Sequence, residues 1–224
     1  TDHCETIIDY SNFIPILNKM IDIRQEPISV PNEVLLYIMT KEVKKKNTVV
    51  MSGEGADELF YGYDRIFWWA QNNSWSVESF DQYYSYGSNS DPEIIEDVMH
   101  SYEKYNTPLE KISAFFQVDH LHSLLRRLDS STMLNSVEAR VPFVDHRIVE
   151  LMAGASFDYR TNSGNEVKSP LKRIYGTKLP SEVVNRKKVG FPVPLDKIFL
   201  NTSNKPMDNW LDYNLNYLIN EVLN

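Results

Sequence analysis

Apolar positions recur at helical spacing through most of this chain. Between Ser11 and Asp22, the residues Phe13, Ile14, Leu17, Met20 and Ile21 stand at i, i+1, i+4, i+7 and i+8, which marks one helix face. The spacing predicts a half-buried helix. A second begins near Pro31, a residue suited to the first helical turn, and its pattern turns Val34, Leu35, Ile38 and Met39 inward. Lys44, Lys45 and Lys46 follow where a helix presents its negative end, so they read as a dipole complement and a solvated run rather than a binding patch. From Leu109 to Leu128 the helical period returns through Ile112, Phe115, Phe116, Leu121, Leu124 and Leu125. His120 and His122 lie two apart there and point to different sides, which argues against a shared metal. Shorter helices are predicted after a cap at Asp145, carrying Ile148, Val149, Leu151 and Met152, and from a cap at Ser169 and Pro170 to a stop at Gly176. Another starts at Ser181 after Pro180. The segment 201–224 is Asn-rich, and its weak stripe of Trp210, Leu211, Leu215, Leu218 and Ile219 predicts a fraying helix.

One stretch breaks that period. Thr48, Val49, Val50 and Met51 are short, largely β-branched and free of charge, which predicts a buried parallel strand, the single strand that the pattern supports. A helix, a buried strand and then a glycine turn is the order of an α/β domain, here dominated by helices. After Tyr63 the chain becomes aromatic, through Phe67, Trp68, Trp69, Trp75, Phe80, Tyr83, Tyr84 and Tyr86. These side chains read as core and packing surface before they read as a ligand platform. Gly87 to Pro92 is polar and reads as a loop.

Composition narrows the class. With 42% apolar residues in 224 the chain can build a core, and 23 basic against 31 acidic side chains give a formal charge of −8. That balance argues against nonspecific binding of nucleic acid or an anionic membrane. Cys4 is the only cysteine, so no disulfide framework or cysteine zinc site is expected and a cytoplasmic home is the default. No apolar run approaches the roughly 18 residues of a membrane span.

The densest chemistry follows the strand, in SGEGADELFYGY from Ser52 to Tyr63. In an open α/β sheet, the turn after a strand's carboxyl end is where ligands bind. Gly53 and Gly55 would let backbone N–H groups approach a ligand, and Ser52 offers a hydroxyl. Glu54, Asp57 and Glu58 offer hard oxygens of the kind Mg²⁺ takes when it arrives with phosphate. Acids at a helix start are also favourable with no ligand at all, and on the residues alone the two readings stand level.

Resemblance separates them. SGEGADELFYGY resembles a signature of the synthetase domain of asparagine synthetases, and so do SVEARVPFVDHR at Ser136 to Arg147 and DSSTM at Asp129 to Met133. Lys168 with Leu171, then Leu179 and Pro180, then NRKKVGFPVP from Asn185 to Pro194, are similar to that family's later motifs in the same order. The resemblance implies a partial adenine nucleotide alpha hydrolase-like domain of the PP-loop ATP pyrophosphatase type over residues 1–194, with a helical tail over 195–224. It implies an enzyme that activates a carboxylate, aspartate or a relative, with ATP and Mg²⁺, releases pyrophosphate, and lets ammonia attack the acyl-adenylate. Residue by residue, Ser52 and Gly53 match positions touching the nucleotide, and Glu54 matches one tied to the adenylate. Asp57 matches the Mg²⁺–pyrophosphate ligand. Lys168 matches the lysine that neutralises charge on the leaving pyrophosphate.

Other candidates weigh less. Lys168 by itself also reads as an exposed loop lysine. Arg140 and Asp145 fit a buried arginine–carboxylate pair bracing a turn as well as they fit catalysis. Arg127 and Asp129 are weaker site candidates, and Arg186, Lys187 and Lys188 form one basic cluster that could face phosphate or solvent.

Two family features are not found in this sequence: the Ser-Gly-Gly-x-Asp-Ser phosphate loop and an amino-terminal glutaminase domain with its terminal cysteine. The ammonia donor is therefore expected outside this chain. The chain reads as part of a larger amidotransferase, with a missing amino-terminal half or a homo-oligomer completing it. The alternative is a non-catalytic remnant acting as a helical interaction or weak nucleotide-binding module.

Overall fold

The computed structural model describes residues 3–85, 90–186, 190–200 and 205–223. Helices α1 (Phe13–Arg24) and α2 (Asn32–Val43) lead into strand β1 (Val49–Met51) and the short α3 (Ala56–Leu59). Then come α4 (Asp64–Asn72), α5 (Val77–Tyr84), α6 (Pro92–His100) and α7 (Pro108–Phe115). A π-helical stretch, Phe116–His120, joins α7 to α8 (Leu121–Met133). Strand β2 (Glu138–Arg140) and a 3₁₀ turn, Pro142–Val144, precede α9 (His146–Ala153), α10 (Phe157–Thr161), α11 (Ser169–Tyr175), α12 (Ser181–Val184), α13 (Leu195–Ile198) and α14 (Pro206–Tyr217). The architecture is α/β and dominated by helices.

Among the described residues, two large apolar centres and a smaller one around Leu59, Phe60 and Met152 organise these elements. Phe13, Leu17, Met20 and Ile21 of α1 meet Val34 and Leu35 of α2 and Trp210 of α14, with Phe13 and Trp210 edge to face at 6.0 Å. The aromatic run forms the second centre, where Phe67, Trp69 and Phe80 pack on Ile112, Phe115 and Phe116. Tyr86 and positions 87–89 of the expected loop lie outside the described residues. A capping box at Thr107 and Glu110 starts α7 and so fixes where that helix enters the aromatic core.

Several expectations are corrected here. Met39 is 38% exposed, and the first turn of α2 buries Glu33 beside Val34 and Leu35. The Glu33 carboxylate accepts from the Ser29 amide at 2.9 Å and from Arg24 at 2.5 Å, so a fully buried acid is satisfied. The strand β1 is not alone: β2 pairs with it in parallel, Val49 opposite Glu138 and Met51 opposite Arg140. Nor is it buried, since Val49 is 50% and Met51 74% exposed. The sheet has two strands among the described residues, and one of its faces lacks the helical cover that buries a parallel sheet.

Caps and stripes also differ. Lys168, not Ser169, holds the N-cap position of α11, and Ser169 is its first helical residue. On α14 Trp210 and Asn214 are buried, as is Asp208 in its first turn, and Leu218 just beyond continues the spacing of four from Trp210, while Leu211, Leu215 and Ile219 face outward. Asn214 is buried because its side chain accepts from Ile28 N at 3.1 Å and donates to Ile28 O at 2.6 Å. Arg140 pairs with its neighbour Glu138 at 3.0 Å, and Asp145 pairs with Arg147 at 2.8 Å, so no buried Arg140–Asp145 brace exists. Asp145 does cap α9, accepting from the Arg147 amide at 2.9 Å.

Candidate functional site

Strand β1 ends at Met51, and the Ser52 amide carries the ladder one step further by donating to Arg140 O at 2.8 Å. The chain then turns through Ser52–Gly55 into α3. Gly55 makes that turn possible, because its φ of 91° is left-handed and a side chain there would lie 2.5 Å from Val144 Cγ2. Its function is thus to pack the turn on the VPFV segment, which corrects the expectation that it opens room for a ligand. Gly53 differs: a Cβ there would meet no atom within 4 Å, so its backbone faces open space.

Helix α3 is short, and contacts from α9, the 3₁₀ turn, α10 and α11 hold it. Leu59 and Phe60 pack with Met152 of α9, Phe143 of the 3₁₀ turn and Leu171 of α11. Arg160, almost fully buried, donates to Leu59 O at 3.0 Å and to Met152 O, and lies 4.2 Å over the Tyr61 ring. Burial pushes its guanidinium pKa below the ordinary value. Finally the Lys168 amide donates to Phe60 O at 3.1 Å, with Lys168 itself left-handed at φ 54°. A lysine in that conformation costs about 1 kcal/mol or more, and the constraint sets where its side chain points.

It points at Asp57. Lys168 Nζ lies 2.8 Å from Asp57 Oδ1, with about a quarter of each side chain exposed. The exposed-loop reading of Lys168 therefore fails on geometry: a helix cap far along the chain returns it to the acidic turn. Glu54 finds a different cation, since Arg127 of α8 donates to its Oε1 at 2.6 Å. Arg127 is a weak candidate from sequence because its partner lies 73 positions away, and no local spacing reports such a pair. Asp129 stays out of the site, beside the sheet with Thr48 and Met133. Arg186 is exposed, and Lys187 and Lys188 lie outside the described residues.

The three acids do not converge. Glu58 turns inward to 1% exposure, where Tyr63 donates to its Oε1 at 2.6 Å and His120 Nε2 stands 3.6 Å away. Burial is the main cause of its raised pKa, opposed by the Tyr63 hydrogen bond, and burial likewise pushes the Tyr63 phenol upward. Among the described residues no group of three His, Cys, Asp or Glu side chains could hold a metal ion. One carboxylate beside an ammonium instead suits a cation whose remaining ligands are phosphate oxygens and water, and that is how Mg²⁺ is usually held. On those terms Asp57 is the carboxylate that could serve as the protein ligand.

A model of the asparagine synthase family matches residues 1–220. The chain belongs to that family. The match runs beyond residue 194, where the motif resemblance ends, and takes in all of α14. The chain is 27% identical, over 255 aligned positions, to asparagine synthetase [glutamine-hydrolyzing] 1 of Bacillus subtilis, covering 90% of this chain and 39% of that protein. It is 25% identical to asparagine synthetase [glutamine-hydrolyzing] 3 of the same organism, covering 86% and 34%. The chain thus spans little more than a third of the length of these relatives. Membership places it in a family of ATP-dependent amide ligases. No helix of the described residues is long and apolar enough to cross a membrane.

Proposed function

We propose that this segment carries the adenylating centre of an asparagine synthetase-like ligase, which joins ammonia to a carboxylate, aspartate by preference, at the expense of ATP. Ammonia would come from a glutaminase domain outside this chain, in a reducing compartment such as the cytoplasm. One observation carries the reading: Lys168 Nζ and Asp57 Oδ1 meet at 2.8 Å although they arise from distant motifs. A carboxylate able to hold Mg²⁺ and an ammonium able to meet a phosphate oxygen stand together where a polyphosphate needs both.

The residues divide the work by chemistry. Ser52 supplies a hydroxyl and Gly53 an open backbone edge toward the nucleotide. Glu54, held by Arg127, presents its carboxylate on the same turn, toward the adenylate. Asp57 would hold Mg²⁺, which supplies charge neutralisation on the phosphates when bound. Lys168 stabilises negative charge as the pyrophosphate leaves, an electrostatic contribution worth roughly 3–4 kcal/mol where such groups have been removed.

Asp57→Asn in the whole protein tests this. Pyrophosphate release should fall by roughly a hundredfold to a thousandfold. The thermal midpoint should move by no more than about 2–4 °C, because asparagine keeps the size of a side chain that is already about a quarter exposed. Unchanged release would reject the assignment of Asp57, and with it the catalytic reading of the turn.

A further inference from the structure

The Asp57–Lys168 pair closes directly over Gly62. A Cβ built on Gly62 would overlap the Asp57 carboxylate, with Cγ at 2.6 Å, and the Lys168 side chain at Cε. Three reasons commonly keep a glycine, and two fail here. Gly62 is not one of the glycines with left-handed φ, which are Gly55 and Gly164, so its backbone conformation is open to any residue. Its amide donates to Asp57 O at 2.8 Å, and alanine would keep that bond. Space for two side chains is what remains.

We infer that Gly62 is a positioning residue of the phosphate site: the missing side chain lets the Asp57 carboxylate and the Lys168 ammonium meet in register above it. This rests on the proposed adenylating function, but its steric half does not. The clash would fall on the ends of two side chains, not on backbone. Alanine should therefore push the carboxylate and the ammonium aside and leave α3 and α11 in place, converting an assembled charge pair into two displaced groups within an intact fold.

The test is Gly62→Ala in the whole protein beside Gly154→Ala, whose added methyl would meet only Leu151 O at 3.9 Å and whose φ is −86°. A crystal structure of Gly62→Ala should show Asp57 and Lys168 separated by more than about 4 Å, and a pair still near 3 Å would overturn the inference. Turnover should fall roughly a hundredfold, the scale of a 1 Å misplacement at a reacting centre, with little change in KM for the carboxylate substrate. Gly154→Ala should keep the parent turnover. If Gly62→Ala lowers the thermal midpoint, adding Asp57→Ala should restore much of the loss by removing the clashing carboxylate, and failure to restore it would also overturn the steric assignment. A displaced pair with parent turnover would leave the steric part standing and reject the catalytic reading beneath it.

Discussion

Arg127 and Glu54 show how a single contact can be tested apart from catalysis. Both side chains are mostly buried, and the guanidinium donates to the carboxylate at 2.6 Å. Removing only Arg127 leaves a partly desolvated carboxylate without that donor, so Arg127→Met should cost roughly 1–3 kcal/mol in urea unfolding. Adding Glu54→Gln should return part of that loss, since the charge that lacked a partner is gone. A loss in the double variant equal to the sum of the two single-variant losses would show that the pair is not coupled. Glu58 makes a second prediction at this scale. Burial holds its folded pKa above the ordinary 4.5, so the native state binds this proton more tightly than the unfolded chain does. Its contribution is therefore fully present below about pH 4.5 and is lost as pH rises through the folded value. Glu58→Gln keeps an acceptor for Tyr63 and removes the titration. Relative to the parent, the variant should gain stability as pH rises above about 4.5, and parallel pH profiles would contradict the burial argument.

Helix α14 carries the prediction at the scale of an element. Asn214 satisfies both the N–H and the C=O of Ile28, two buried backbone groups. Asn214→Leu improves helix propensity and apolar burial, yet it strands both groups, so thermal unfolding should report a net loss of roughly 2–4 kcal/mol. A stabilised variant would mean that water or a shifted backbone replaces the amide. This residue also shows where patterning reads poorly. α1 was legible because its face is continuous apolar side chains, Phe13, Leu17, Met20 and Ile21, packed on another helix. The inward face of α14 contains an asparagine, which any hydrophobic count places outside, so the apolar stripe shares Trp210 and Leu218 with the buried face and departs from it at Leu211, Leu215 and Ile219. Strand β2 was illegible for a related reason. Glu-Ala-Arg has no strand propensity, and its conformation comes from pairing with β1, a contact that local sequence does not encode.

At the scale of the whole molecule, the site is an assembly of distant pieces. The acidic turn and Lys168 were both legible as motifs, because short runs of glycine, acids and a following helix carry recognisable chemistry. Their separation was not legible: it depends on Arg160 pinning the end of α3, on Lys168 bonding to Phe60 O, and on Leu59, Phe60 and Leu171 packing together. The same dependence makes site and fold thermodynamically linked. A ligand that needs Asp57 and Lys168 side by side binds the native state and not the unfolded chain, so it must raise the unfolding temperature of the whole molecule. With magnesium pyrophosphate at a hundred times its Kd the stabilisation should be about 2.7 kcal/mol, a shift of roughly 5–10 °C for a chain of this size. Pyrophosphate without magnesium should give a smaller shift, since Lys168 alone then meets it. Lys168→Met and Asp57→Asn should each remove most of the effect. Scanning calorimetry across these samples separates a built phosphate site from an accidental ion pair, because only a built site couples a diphosphate to unfolding through both residues.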